Sequence, residues 1–271
     1  MIHLLSAEWF KINKRWMPRV IVLIMLAIIV LIFWGVATTK NRTDLIMPRG
    51  LIVALFLASS FSAFIWPILS GSWAGNEYGW GTVRMILSRR PDRAQWSLAA
   101  MVALILYAGL ALLATLLVGF VTGSVVAALT NHSEFISSGL QSNYAALVIK
   151  VFFASWLIFT YYLVLAYAAG TIFRSGAVGI GAGIGVSIAQ LIVSGIFDGL
   201  GGNWRVVANH FPNRYGDALI GRLSAAGTTG DFTTIGANLP SIVTSIIGLV
   251  VYIAILVGVT LFLVKTRDVT S

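Results

Sequence analysis

The densest gathering of reactive side chains in this chain is the run GSWAGNEYGWGTVRMILSRRPDR, residues 71–93. It holds Glu77, the one carboxylate before Asp92, and four arginines, Arg84, Arg89, Arg90 and Arg93. Carboxylates and guanidiniums at this density make charge-assisted hydrogen bonds and exchange partners. That is the chemistry of docking rather than of bond breaking. Catalytic groups are sparse elsewhere. His3, His132 and His210 fall in separate segments without metal-ligand spacing. There is no GxSxG elbow, no HExxH pair and no Asp-rich cluster. No GxxxxGK[ST] loop is present, so a Walker A site is excluded, and any ATP that drives the chain must be hydrolysed by another polypeptide. The chain has no cysteine, which removes disulfides, thiolate metal sites and a cysteine nucleophile. The expectation is a protein that is not an enzyme by itself, with no catalytic residue, no metal ligand and no cofactor bound directly.

The order within residues 71–93 predicts a short helix. Gly79 and Gly81 break the preceding helix, and Thr82 is suited to cap a helix over Val83–Ser88. Val83, Ile86 and Leu87 form its apolar face. Arg89 and Arg90 lie at its C-terminal end, where cations favour the helix dipole, and Pro91 stops it. Asp92 can begin the next helix. The alternative is a solvated, positively charged loop. The ordered pattern favours a docking helix with Leu87 on its contact face.

The elements that must position this segment are membrane spans. Of 271 residues, 58% are hydrophobic and only 10% charged, against ~25% charged in soluble domains, so lipid must serve as much of the solvent. Six apolar runs are long enough to cross a bilayer: residues 20–37, 51–69, 98–121, 145–169, 177–197 and 242–264. No separate soluble domain is indicated, and residues 1–271 read as a single transmembrane domain. Residues 3–17 read as an amphipathic helix. Leu5, Trp9, Ile12 and Trp16 lie on one face and Glu8, Lys11 and Arg15 on the other, suiting a helix in the interface plane that Pro18 ends. Gly35-Val36-Ala37 resembles a signal-peptide cleavage site, but the long N-terminal segment with Glu8 favours a retained anchor.

Within the spans, Ser59, Ser60 and Ser62 suit close helix contact or a polar cavity, and Pro67 is expected to kink span two. Lys150 reads as a lysine snorkelling to headgroups rather than a transport site. Gly181 and Gly185 form a GxxxG pair in span five, suited to helix packing within the bundle, a subunit interface or a cavity wall. Between spans five and six, Trp204–Ala208 and Tyr215–Leu223 read as short helices separated by Pro212.

Charge sets the orientation. The net charge is +9, but the basic residues gather at span ends, which points to headgroups and topology rather than nucleic acid. With the N-terminus inside, eleven Lys and Arg residues face the cytoplasm and six the exterior. Both termini and residues 77–93 are then cytoplasmic, and residues 198–240 external. The sequons at Asn41 and Asn131 would fall outside. No span carries an interior carboxylate, which disfavours ion-coupled carriers.

The run Glu77-Tyr78-Gly79-Trp80-Gly81-Thr82-Val83-Arg84-Met85-Ile86-Leu87-Ser88-Arg89-Arg90-Pro91-Asp92-Arg93 resembles the pattern E-x-x-x-G-T-hydrophobic-R-x-hydrophobic-L-x-x-x-P-x-x-R of permeases in type-2 ATP-binding-cassette (ABC) exporters. Ala7-Glu8-Trp9-Phe10-Lys11 is similar to their N-terminal interfacial helix, and the six-span plan covers the whole chain. Members of that class usually have Pro-Val-Ser-Arg where this chain has Arg90-Pro91-Asp92-Arg93. The resemblance implies an all-α integral membrane fold with an interfacial helix, a cytoplasmic coupling helix between spans two and three, and an external helical segment between spans five and six. It implies a second permease copy or paralogue, a cytoplasmic ABC ATPase that binds ATP and Mg, and export across the cytoplasmic membrane. It assigns Glu77, Thr82, Arg84, Arg89, Arg90 and Arg93 to the ATPase interface. The competing expectations are an ATP-independent carrier or channel and, further off, a membrane scaffold or an intramembrane enzyme.

Overall fold

A computed structural model describes residues 2–38, 44–79, 93–129, 142–228 and 239–266. Among the described residues every regular element is a helix: α1 (Ile2–Lys14), α2 (Trp16–Ala37), α3 (Arg49–Gly79), α4 (Arg93–Leu129), α5 (Ser142–Ile172), α6 (Gly176–Leu200), α7 (Gly202–Ala208), α8 (Pro212–Ala225) and α9 (Ile242–Thr266). Six of them, α2, α3, α4, α5, α6 and α9, are long and apolar enough to cross a membrane, so the chain is a multi-pass membrane protein by length and composition.

The spans begin and end further out than hydropathy suggests. At a rise of ~1.5 Å per residue, the 31 residues of α3 reach about 46 Å and the 37 of α4 about 55 Å, against a hydrocarbon core of ~30 Å. Residues 71–79, read from sequence as an interruption after span two, continue α3 instead. The break after α1 falls at Arg15, which is extended (φ −81°, ψ 139°), and not at Pro18. Pro18 lies in the first turn of α2, where a residue without an N–H costs nothing because that donor has no intrahelical partner. Pro212 likewise opens α8 at its N-terminus.

α3 is the central element, packed most extensively on α5 and then on α6. Trp66 of α3 meets Phe159 of α5 with ring centroids 5.0 Å apart, and both are fully buried. Ser59 donates to Leu55 O and lies 2.8 Å from Ser155 Oγ of α5, so this buried hydroxyl serves helix contact. Ser62 is also buried, whereas Ser60 is exposed. The α3–α5–α6 junction is built from small residues. A Cβ on Gly179 would lie 2.8 Å from Gly170 Cα and 2.9 Å from Gly71 Cα, and one on Gly75 would overlap the backbone of Ser175 and Gly176. Only hydrogen fits at such backbone approaches.

Candidate functional site

α1 and the C-terminal turns of α3 bring together two carboxylates, two cations and one indole. On α1, Glu8, Lys11 and Ile12 recur at helical spacing, and Arg15 follows immediately after its last turn. On α3, Trp73 and Glu77 sit one turn apart. Lys11 Nζ lies 2.6 Å from Glu8 Oε1 and 3.4 Å from Glu77 Oε1. An Arg15 Nη donates to the same Glu77 oxygen at 3.3 Å. Trp73 Nε1 donates to Glu8 Oε2 at 3.3 Å, and the Arg15 guanidinium stacks 4.4 Å from the centre of the Trp73 ring. Formal charge within the group sums to zero. Both carboxylates are buried while both cations keep about a quarter of their side chains in solvent (26% and 27%). Glu77 Oε2 has no hydrogen-bond partner.

This arrangement corrects the face assigned to Glu8. The sequence pattern set Leu5, Trp9, Ile12 and Trp16 against Glu8, Lys11 and Arg15. Instead Glu8 is buried beside Ile12, while Trp16 is exposed. The 8/12 spacing places both side chains on one side of α1, and pairing with Lys11 and Trp73 compensates the buried carboxylate. The bonds of Glu77 run to Lys11 and Arg15, 66 and 62 positions away in sequence. Glu77 lies just ahead of the charged run. Of the residues assigned to that run, Thr82, Arg84, Leu87, Arg89 and Arg90 lie outside the described residues, and Arg93 opens α4.

The glycines of α6 divide by face. Gly181 and Gly185 meet nothing within 4 Å of a would-be Cβ, so among the described residues they pack against no helix. Gly179 and Gly183 do that work, Gly183 against Ala166 and Pro67. Lys150 is exposed on α5.

A second polar network lies at the opposite end of the bundle, and sequence reading missed it. Asp198 at the end of α6 accepts from Arg205 Nε of α7 at 3.1 Å and pairs with Arg214 of α8 at 3.0 Å. Asn213 Nδ2 donates to Ser194 Oγ at 2.8 Å, and Gln190 Nε2 to Tyr161 Oη at 2.8 Å. These contacts pin α7 and α8 to α6, and α6 to α5. Asp217 of α8 keeps an exposed surface, yet the helices around it remove enough water to push its carboxyl up from 3.8 to about 6; Arg214 opposes the shift more weakly. Among the described residues no three His, Asp or Glu side chains gather as a metal site.

Residues 39–270 match the family model described as "Protein of unknown function (DUF2705)". The matched stretch takes in Glu77 and Trp73 but not α1. No curated protein matches the chain.

Proposed function

The chain belongs to the DUF2705 family, and we propose that it is the transmembrane permease subunit of a type-2 ABC exporter, working with a separate cytoplasmic ATPase. The observation that carries the reading is the position of Glu77. It is the last buried charged group of α3 before the 80–92 run, and it is tied across to α1. A force applied to that run reaches a helix tip that cannot move without dragging α1 or breaking two ion pairs. The seven residues of the proposed ATPase interface are Glu77, Thr82, Arg84, Leu87, Arg89, Arg90 and Arg93.

In this reading α1 lies in the cytoplasmic interface, with Phe10 and Trp16 exposed toward lipid. Both termini are cytoplasmic, and α7 and α8 form the external segment. A second permease, the same chain or a paralogue, pairs along a face that includes Gly181 and Gly185. The partner ATPase supplies the ATP and Mg chemistry. This chain supplies the path and the lever: α3 is a continuous helix that joins the run to the glycine-lined junction with α5 and α6.

Two measurements test the proposal. The tagged chain, solubilised in mild detergent, should recover a Walker A ATPase and stimulate its hydrolysis. The Glu77→Ala, Leu87→Asp double variant should reach normal membrane levels but lose both. Full recruitment and stimulation by the double variant would show that the run is a plain loop. Topology is checked independently by a cysteine placed at Ser88, which must label from the cytoplasmic side.

A further inference from the structure

At the α8 end of the bundle a groove of about 750 Å³ opens sideways between α5, α8 and α9. That volume is in the range of ligand sites, ~300–1,000 Å³. Its walls are Phe153 and Leu157 of α5, Leu219 and Leu223 of α8 and Ile246 of α9, and no acidic residue lines it. Along α5 the lining runs from Ile149 to Thr160, which at ~1.5 Å per residue makes the groove about 16 Å deep. One charged residue stands in it, Lys150, at the outermost turn.

The register of α8 places a second cation at the same end. Gly216 sits against Ile158, and Gly227 against Leu147 and Tyr144, so α8 runs antiparallel to α5. Arg222 therefore falls close to the Lys150 turn. It donates to Leu239 O at 2.6 Å and Pro240 O at 3.0 Å, carbonyls that leave its charge unneutralised. Among the described residues neither Lys150 nor Arg222 has a carboxylate partner within ion-pair distance.

An apolar slot along the membrane normal, headed by cations, matches one ligand shape: an acyl chain with a negatively charged head. We propose that this groove binds an anionic glycerophospholipid from the leaflet at the α8 end, its chain along Phe153, Leu157, Leu223 and Ile246 and its phosphate on Lys150 with Arg222 beside it. A second copy of the chain seated here would have to bury Lys150 without a counter-charge, which is unfavourable. A zwitterionic lipid brings a quaternary ammonium beside its phosphate, which repels Lys150 and Arg222 and cancels most of the attraction. The site needs only the membrane-spanning fold and stands whether or not an ATPase couples to the chain.

The test is native mass spectrometry of the full chain, extracted from vesicles of phosphatidylcholine mixed with phosphatidylglycerol. Wild type should retain phosphatidylglycerol in preference to phosphatidylcholine, and added phosphatidylglycerol should raise its thermal midpoint. Lys150→Gln should cut retention about fivefold, the weight of one basic residue at an anionic surface. Lys150→Arg should preserve it. Ile246→Trp, a change at an exposed wall position, should block the groove and abolish the preference. Lys265→Gln, at the far end of α9, should change nothing. Equal retention of the two lipids by wild type, or full retention by both Lys150→Gln and Ile246→Trp, would overturn the site. A change of oligomer mass in Ile246→Trp without a change in lipid would assign the groove to a second copy instead.

Discussion

Replacing Glu77 by Ala should release α1 from α3, and the structure sets the size of the effect. Glu77 faces Lys11 at 3.4 Å and Arg15 at 3.3 Å. At an effective dielectric of about 20, each pair is worth about 5 kcal/mol before desolvation is subtracted. Two features shrink that figure. Both cations are a quarter exposed and therefore screened. Each also keeps a second partner when Glu77 goes: Lys11 retains Glu8 at 2.6 Å, and Arg15 retains the Trp73 face. The remaining cost is about 1–3 kcal/mol, below the ~3–5 kcal/mol of breaking a fully buried pair. The assay exploits the absence of native cysteine. Ile12 is 1% exposed, so a cysteine there labels with maleimide only when α1 lifts. A cost near 2 kcal/mol raises the labelling rate about 30-fold. Adding Arg15→Ala to Glu77→Ala should cost less than the sum of the single changes, because the two share one interaction. Labelling within twofold of the Ile12→Cys reference, or strict additivity, would refute the idea that Glu77 fastens α1.

Two further outcomes are expected. Gly179→Leu should prevent accumulation of folded protein, since its side chain must displace the Gly71 and Gly170 backbones, whereas Gly185→Leu should fold normally and lower only the paired fraction seen by cross-linking. Asp217 binds its proton more tightly in the folded chain, so the seating of α8 should be firmest below about pH 4. It should loosen as pH rises to about 6 and be flat beyond, and Asp217→Asn should erase the dependence; the labelling rate of a cysteine at Leu219 reads this directly.

The six spans were legible because each is an unbroken apolar run of about twenty residues, a length that suits a helix satisfying its own backbone in lipid and exceeds the ~9–11 alternating residues of a barrel strand. The short helices between spans five and six were legible in outline from Pro212, which starts α8 rather than merely separating two helices. The continuation of α3 was not. Residues 71–79 contain glycine, asparagine and glutamate and look like a loop, yet Gly71 and Gly75 are there because α5 and α6 cross at backbone contact. Hydropathy ended span two at residue 69, where close packing required small residues further along the same helix. The same ambiguity hides the packing face of α6. Gly179/Gly183 and Gly181/Gly185 share one spacing, and only the facing Gly170, Gly71 and Pro67 on other helices select the first pair.

Glu77 shows how ion pairs in such a chain join residues far apart in sequence. Its carboxylate is held by Lys11 and Arg15, more than sixty residues upstream. Helix geometry explains this. Trp73 and Glu77 lie one turn apart on α3 and so share a side, and Glu8, Lys11 and Ile12 form a stripe on α1 that Arg15 extends just beyond its end. The two stripes meet once α1 folds back at the extended Arg15. A continuous helix through that residue would carry α1 straight on from α2 and away from the tip of α3. The bend at Arg15 and its ion pair to Glu77 are therefore one device: the residue that turns the chain is also the residue that holds the turn closed. Restoring helix at position 15 with Arg15→Ala removes both the bend's anchor and the charge. It should raise the labelling rate at Ile12→Cys more than Arg15→Lys does, since lysine keeps the charge for Glu77 but not the guanidinium stack on Trp73. Equal rates in the two variants would show that charge alone is immaterial to closing the turn.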